Sequence, residues 1–147
     1  MEPVVYTRKG DVHTFRTGLA GLETLVVDHT GVPAEGRNGL AKQLLASSAL
    51  ACYGMMLAAV LDARKIAYTE LTGTASMELG PNAGGQGRVR RMRIAFTVSM
   101  PADGAKAVFE RCARIMQGGC LVTGSLHDGI EMEYALDGLY GRGGSDG

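Results

Sequence analysis

The chain has 147 residues, which is enough for one domain with a core of its own. Its 15 basic and 15 acidic residues cancel, which argues against a nucleic-acid-binding protein because phosphate recognition needs a concentrated positive field. Hydrophobic residues make up 46% of the chain, with eight methionines and no tryptophan, so aliphatic side chains and methionine must fill the core.

The N-terminal segment MEPVVYTRKGD lacks the basic and then apolar pattern of an export signal. We therefore expect a cytoplasmic protein, in which thiols stay reduced. The three cysteines, Cys52, Cys112 and Cys120, should then be free thiols rather than structural disulfides, and each needs its own explanation.

The first part of the chain predicts strands followed by one long helix. Residues 4–28 read as strands broken by turns, and residues 30–40 as a polar loop rich in glycine. Asn38 is placed to cap a helix over about 39–64, because its side chain can accept a hydrogen bond from a free backbone N–H group.

The second part predicts two strands and a helix. A strand over 66–80 and a loop over 81–87 lead into the clearest strand, 88–100, where apolar and polar residues alternate with a period of two. A helix follows over about 104–117, with Asp103 as its cap.

The chain ends with shorter elements. Residues 120–126 predict one or two helical turns, residues 130–136 alternate as a strand does, and the tail 137–147 has no core-forming pattern. Because strands and helices do not alternate regularly, the order favours an α+β fold with an antiparallel sheet and helices on one face.

The stretch LLASSALACYGMMLAAVL, residues 44–61, contains eighteen residues without a charge. That length is the lower limit for a membrane-spanning helix. Half of these residues are small and contribute little transfer free energy, however, and the strands around the stretch are amphipathic. A helix that is apolar on every side is buried on every side, so we predict a central helix between a sheet and another chain, and no membrane span.

The cysteines differ in their surroundings. Cys52 lies in the middle of the uncharged helix, and Cys112 lies on an apolar helical stripe, which is typical of a core residue. Cys120 follows Gly118-Gly119 at the start of the next helical turn, where a helix N-terminus favours the thiolate. If Cys52 and Cys120 meet in space, the pair could do redox chemistry.

Two segments resemble the OsmC/Ohr family (osmotically inducible protein C and organic hydroperoxide resistance protein). GLAKQLLASSALACYGMML, which contains Cys52, resembles the family's long central helix, of the type P-x-E-x-L-x-x-A-L-x-x-C. CLVTGSLHDGIEMEYAL, which begins at Cys120, resembles its second-cysteine segment, commonly C-P-V-x-x-x-L with a glycine turn and a last strand. RVRRMRIAFTVSMPADGAKAVFERCARIM resembles the preceding strand, turn and helix, so the resemblance covers roughly residues 40–136.

The resemblance implies a fold and a chemistry. It implies one domain over residues 1–147, with an antiparallel sheet, a long buried central helix and a second packed helix, intertwined with a second copy as a homodimer. The implied activity is thiol-dependent reduction of organic hydroperoxides in oxidative-stress defence, without a metal or cofactor. Cys52 would attack the hydroperoxide, Cys120 would resolve the sulfenic acid as a disulfide, and an external dithiol would reduce that disulfide.

The sequence departs from the family pattern around this pair. The family's peroxidases keep a Glu near the first turn of the long helix, where this chain has Lys42 and Gln43. They also stabilise the thiolate with an Arg from the N-terminal strands, for which Arg16 is our candidate and Arg8 the other. Leu121 stands where proline usually follows the second cysteine.

Two other functions stay open at this point. A catalytically degenerate OsmC-like domain could bind a small apolar ligand, as the incomplete site and the abundant methionines suggest. Cys52, Cys120 and His127 could form a metal site, although the chain lacks closely spaced zinc ligands. The chain has no phosphate-binding glycine motif and no Ser-His-Asp motif.

Overall fold

The computed structural model describes residues 1–101 and 105–139. The chain divides into two compact units, Met1–Leu45 and Ala46–Gly147. Within the described residues the first unit carries a three-stranded sheet and the second a two-stranded sheet, both antiparallel. With the helices these sheets make the chain α+β, which confirms the predicted fold class.

The first unit begins with an antiparallel meander. Its strands are β1 (Val5–Lys9), β2 (Val12–Leu19) and β3 (Leu22–Asp28), as the sequence predicted. A short 3-10 helix, Ala34–Arg37, follows the sheet. Arg37 ties this helix to the turn between β1 and β2, because its guanidinium donates to both carboxylate oxygens of Asp11 at 2.8 and 3.3 Å.

The long helix α1 (Leu40–Ala63) has nearly the predicted length, but its cap differs. The carbonyl of Gly39 accepts the first helical hydrogen bond, from the N–H group of Gln43 at 2.9 Å. Gly39 therefore occupies the cap position, and Asn38 lies one residue before it. The prediction of Asn38 as the cap was wrong by one residue, because Asn38 ends the short 3-10 helix and the turn continues through Gly39 before α1 begins.

The end of α1 explains why the next strand starts later than predicted. Lys65 adopts a left-handed conformation (φ 56°), and the N–H group of Ile66 donates back to the carbonyl of Leu61 at 3.1 Å. This pattern satisfies the last carbonyls of a helix and turns the chain. Ile66 is consequently buried as part of the helix end, and the strand begins four residues further on.

The second unit continues with a hairpin and two helices. They are β4 (Glu70–Pro81), β5 (Gly87–Ser99), α2 (Lys106–Met116) and α3 (Leu121–Asp128). The hairpin loop and the helical turns after Cys120 match the predictions, whereas the predicted cap Asp103 lies outside the described residues. Along β5 one face is partly buried and the other is exposed, as the period of two predicted.

The core of the second unit lies where α1 and α2 meet the hairpin. Its buried members are Leu57, Leu61, Ile66, Cys112 and Met116. Cys112 has no exposed surface, so its assignment to packing is confirmed.

Residues 130–136 do not form the predicted strand. The described part of this segment has no regular secondary structure, and its apolar side chains are exposed. A strand needs the backbone of a neighbouring strand for its hydrogen bonds, and none of the strands in the described residues pairs with this segment. Of the tail predicted to be loose, residues 137–139 also lack regular structure, and residues 140–147 lie outside the described residues.

The helix α1 is not buried on every side in the single chain. Leu57 and Leu61 are buried, whereas Met55 is 74% exposed. Among the described residues, Ala34–Ala63 is the one helical stretch long and apolar enough to cross a membrane by length and composition. The core helix of a protein that spans no membrane passes the same test.

Candidate active site

The second unit brings together the two cysteines singled out from the sequence. Cys52 lies on α1, and Cys120 lies 68 positions later, directly before α3. Their side chains lie close enough for each thiol to perturb the pKa of the other, and both are free thiols. The redox hypothesis requires this contact, because a disulfide forms only between sulfurs that can approach closely.

Tyr53, the neighbour of Cys52, fixes α1 against the end of α2. Its hydroxyl donates to the carbonyl of Met116 at 3.2 Å, and its ring stacks on Phe96 with the ring centroids 5.5 Å apart. Met116 is the last residue of α2 and lies four positions before Cys120. Tyr53 thereby holds the segment that carries the second thiol next to the helix that carries the first.

Gly119 allows the chain to turn from α2 into α3. It adopts a left-handed conformation (φ 75°), and its N–H group donates to the carbonyl of Met116 at 3.1 Å. A Cβ atom at this position would meet Oγ1 of Thr123 at 2.8 Å. Glycine is therefore required for the backbone conformation and for the close approach of Thr123.

Cys120 occupies the cap position of α3 and is held there by Thr123. The N–H group of Cys120 donates to Oγ1 of Thr123 at 2.9 Å, while the sulfur of Cys120 accepts from the N–H group of Thr123. The sulfur also lies 3.2 Å from the same hydroxyl oxygen. This reciprocal arrangement is a capping box in which a cysteine takes the place of serine or threonine.

The hydrogen bonds separate the acidities of the two thiols. Burial raises the pKa of Cys120, but the hydrogen bonds from Cys52 and Thr123 outweigh burial, so the pKa is lowered. The pKa of Cys52 is raised, first because its thiol donates to Cys120, although the N–H groups of Val122 and Leu121 oppose this. Burial, followed by the charge of Cys120, raises the pKa of Tyr53, which therefore stays a neutral donor.

The arginine candidates lie in the first unit. Arg16 is exposed on β2, in register with Val5 on β1 and Thr24 on β3. Arg8 lies on β1, and its Nε donates to the carbonyl of Gly10 at 3.0 Å. The support of the thiolate by Arg16 or Arg8 stays a prediction.

The first unit also contains a pocket of about 560 Å³. Rings and aliphatic side chains line most of it, among them Tyr6, His13, Phe15, His29, Leu40 and Leu44. Arg8 adds a positive charge to this lining. The hydroxyl of Tyr6 hydrogen-bonds to Nδ1 of His13 at 2.9 Å, which fixes two of the rings. The pocket is suited to a small, mainly apolar molecule.

No metal cluster forms around the thiols in the described residues. Nowhere in 1–101 and 105–139 do three His, Cys, Asp or Glu side chains gather as a metal site would require. His127, considered as a third ligand, is exposed, and its Nδ1 lies 3.1 Å from Oδ1 of Asp128.

The OsmC-like family model matches residues 40–135, which include both thiols and the elements that position them. The chain belongs to the OsmC-like protein family. Two solved structures share the fold of this OsmC-like protein. An OsmC-like protein of unknown function from Vibrio cholerae has a TM-score of 0.62 at 14% identity, covering 85% of this chain and 94% of that one.

The second structural neighbour is from Psychrobacter arcticus, and its proposed role is in the osmotic stress and detoxification response. It has a TM-score of 0.60 at 21% identity, covering 85% of this chain and 88% of that one. At these identities the likeness establishes the fold. The comparison with curated protein sequences gives no significant match.

Sequence reasoning missed two residues that shape the thiol pair of this OsmC-like protein, Tyr53 and Thr123, and identified Gly119 only as part of the glycine pair that ends α2. The spacing of Cys120 and Thr123 carried a usable signal, because a capping box joins the cap residue to the side chain three positions later. The contacts of Tyr53 left no such signal, since its partners Phe96 and Met116 are 43 and 63 positions away.

Proposed function

We propose that this OsmC-like protein reduces organic hydroperoxides with the dithiol formed by Cys52 and Cys120. The single observation that carries the proposal is the proximity of these two thiols at the start of α3, where each perturbs the pKa of the other. One thiolate attacks the outer oxygen of the hydroperoxide, which leaves as an alcohol, and the resulting sulfenic acid condenses with the second thiol to a disulfide and water. An external dithiol restores the pair by exchange.

The proposal includes a homodimer in the cytoplasm. The exposed apolar side chains of residues 130–139 support a second copy, namely Ile130, Met132, Tyr134, Leu136 and Leu139. An extended segment with alternating apolar residues can pair with a sheet edge of another chain. The reducing compartment would supply the dithiol for regeneration. Sedimentation equilibrium should give twice the chain mass, and a monomer at micromolar concentration would contradict this part.

Thiol counting tests the activity. With one equivalent of cumene hydroperoxide we expect the rapid loss of two thiols per chain and a Cys52–Cys120 disulfide in the mass spectrum. Cys112 supplies the matched control, because it is fully buried in the core and should stay reduced. Loss of thiols no faster than that of free cysteine would reject the enzyme.

A second candidate function is the binding of a small apolar ligand by a catalytically degenerate domain. The pocket of the first unit favours it, since aromatic and aliphatic side chains line a volume of about 560 Å³. Anilinonaphthalene sulfonate, an apolar dye with one negative charge, is a suitable probe. Saturable dye binding that Leu44→Asp removes, together with slow thiol oxidation, would favour the binder over the enzyme.

A further inference from the structure

One face of the three-stranded sheet carries a continuous patch of rings. Tyr6 on β1 lies opposite Phe15 on β2, and their ring centroids are 5.1 Å apart. The ring of His13 lies 6.0 Å from that of Tyr6 and 5.0 Å from that of His29, which follows the end of β3. Because flat rings pack favourably against other rings, this patch favours an aromatic ligand over a flexible chain.

The start of α1 completes a pocket on this face of the sheet. Its volume of about 560 Å³ is in the usual range for a small-molecule site, and Leu40, Ala41 and Leu44 of α1 add apolar lining to the rings. Two arginines line the pocket, whereas no Asp or Glu does. A cation would therefore meet only positive charge there, and the charge that fits the lining is negative.

The two arginines differ in what they already bind. Arg37 donates to both carboxylate oxygens of Asp11 and, through Nε, to the carbonyl of Val32 at 2.7 Å, so its charge is offset. Arg8 donates through Nε to the carbonyl of Gly10 at 3.0 Å, and it forms no ion pair with any of the described residues. That bond leaves the two terminal nitrogens of Arg8 for a ligand, and a guanidinium matches the geometry of a carboxylate.

We infer that this pocket binds a small aromatic carboxylate, with the rings against its apolar body and Arg8 against its carboxylate group. The inference rests on the second candidate function and deepens it, because it names the class of ligand for the same pocket. It does not depend on the activity of the thiols. No cysteine lines the pocket, so the inference assigns Arg8 to the ligand and leaves Arg16 as the candidate for the thiol pair.

Naphthalene derivatives that differ in charge test the ligand class on the full chain. Isothermal titration calorimetry at low ionic strength gives the dissociation constants of 1-naphthoate, neutral 1-naphthalenemethanol and cationic 1-naphthylmethylamine. We expect 1-naphthoate to bind about 5-fold more tightly than the alcohol, as a partly exposed charge pair allows, and the amine to bind more weakly than the alcohol. Binding of 1-naphthoate no tighter than that of the alcohol would overturn the inference.

A saturated analogue tests the contribution of the rings. Decahydro-1-naphthoate keeps the carboxylate but has no flat ring system, so it should bind more weakly than 1-naphthoate. Equal or tighter binding of the saturated analogue would show that the pocket does not select an aromatic body.

Charge variants locate the carboxylate in the pocket. Arg8→Met should weaken the binding of 1-naphthoate about 5-fold and leave that of the alcohol nearly unchanged, whereas Arg8→Lys keeps the charge and should recover part of the loss. Lys9→Met is the matched control, because it removes the same charge from the next residue of β1, whose side chain points to the other face of the sheet. An unchanged affinity in Arg8→Met, or an equal loss in Lys9→Met, would contradict the role of Arg8.

Competition with the dye separates this inference from the function on which it rests. We expect 1-naphthoate to displace anilinonaphthalene sulfonate from the wild type, and Leu44→Asp to bind neither, because Leu44 lines the pocket. Saturable dye binding that 1-naphthoate does not displace would leave the second candidate function standing and overturn the inference. If neither compound binds, both fail together. Thiol counting decides the peroxidase activity independently of these results.

Discussion

Gly119→Ala is the most informative single perturbation of the thiol site. The left-handed backbone at this position costs an alanine about 1–2 kcal/mol. The new Cβ atom would also lie 2.8 Å from Oγ1 of Thr123 and force that hydroxyl away from Cys120. Losing the hydrogen bond from Cys120 N–H to Oγ1 and the contact with the sulfur adds about 1–3 kcal/mol.

Gly85→Ala is the matched control for this perturbation. Gly85 has a similar positive φ (79°), but nothing lies within 4 Å of the Cβ position. Each variant lowers the free energy of unfolding in urea, and the difference between the two decreases measures the contact with Thr123. We expect the decrease for Gly119→Ala to exceed that of the control by about 1–3 kcal/mol. The excess should disappear in a Thr123→Ala background, where the hydroxyl is absent. Equal losses for both glycines, or an excess that persists without the hydroxyl, would refute this account of the turn.

Three further predictions concern other contacts. Tyr53→Phe removes the hydrogen bond to the carbonyl of Met116 and should lower the free energy of unfolding in urea by only about 1 kcal/mol. The decrease is small because that carbonyl still accepts from the N–H group of Gly119. A decrease above about 3 kcal/mol would contradict this. Arg37→Lys removes the partly exposed ion pair with Asp11 and the hydrogen bond from Nε to the carbonyl of Val32, and should cost about 1–2 kcal/mol. The cost should fall by about 1 kcal/mol or less in an Asp11→Asn background, where only the bond to Val32 is lost, and equal costs in both backgrounds would show that the pair contributes nothing. The lowered pKa of Cys120 stabilises the folded state, and this stabilisation is fully present above the pKa of an unfolded thiol, about 8.5. The stabilisation is lost as the pH falls through the pKa of Cys120 in the folded state. Urea midpoints of the wild type relative to Cys120→Ser should therefore rise as the pH approaches about 8.5 from below, and a flat difference would contradict the shift.

The sequence predicted those elements whose residues form a local pattern. Alternation located β5, the uncharged stretch located α1, and the glycine pair marked the end of α2. The prediction failed at Asn38, because the preceding 3-10 helix ends there, and at 130–136, because a strand depends on a distant partner for its hydrogen bonds.

By itself, the sequence determined the α+β class, the assignment of Cys112 to the core, and the choice of Cys52 and Cys120 as the candidate thiol pair. Only the tertiary structure decided how the two thiols meet, since the contact depends on Tyr53 reaching the end of α2 and on Thr123 reaching Cys120. The acidity of a thiol depends on the donors around its sulfur, and those donors come from segments that sequence spacing does not bring together.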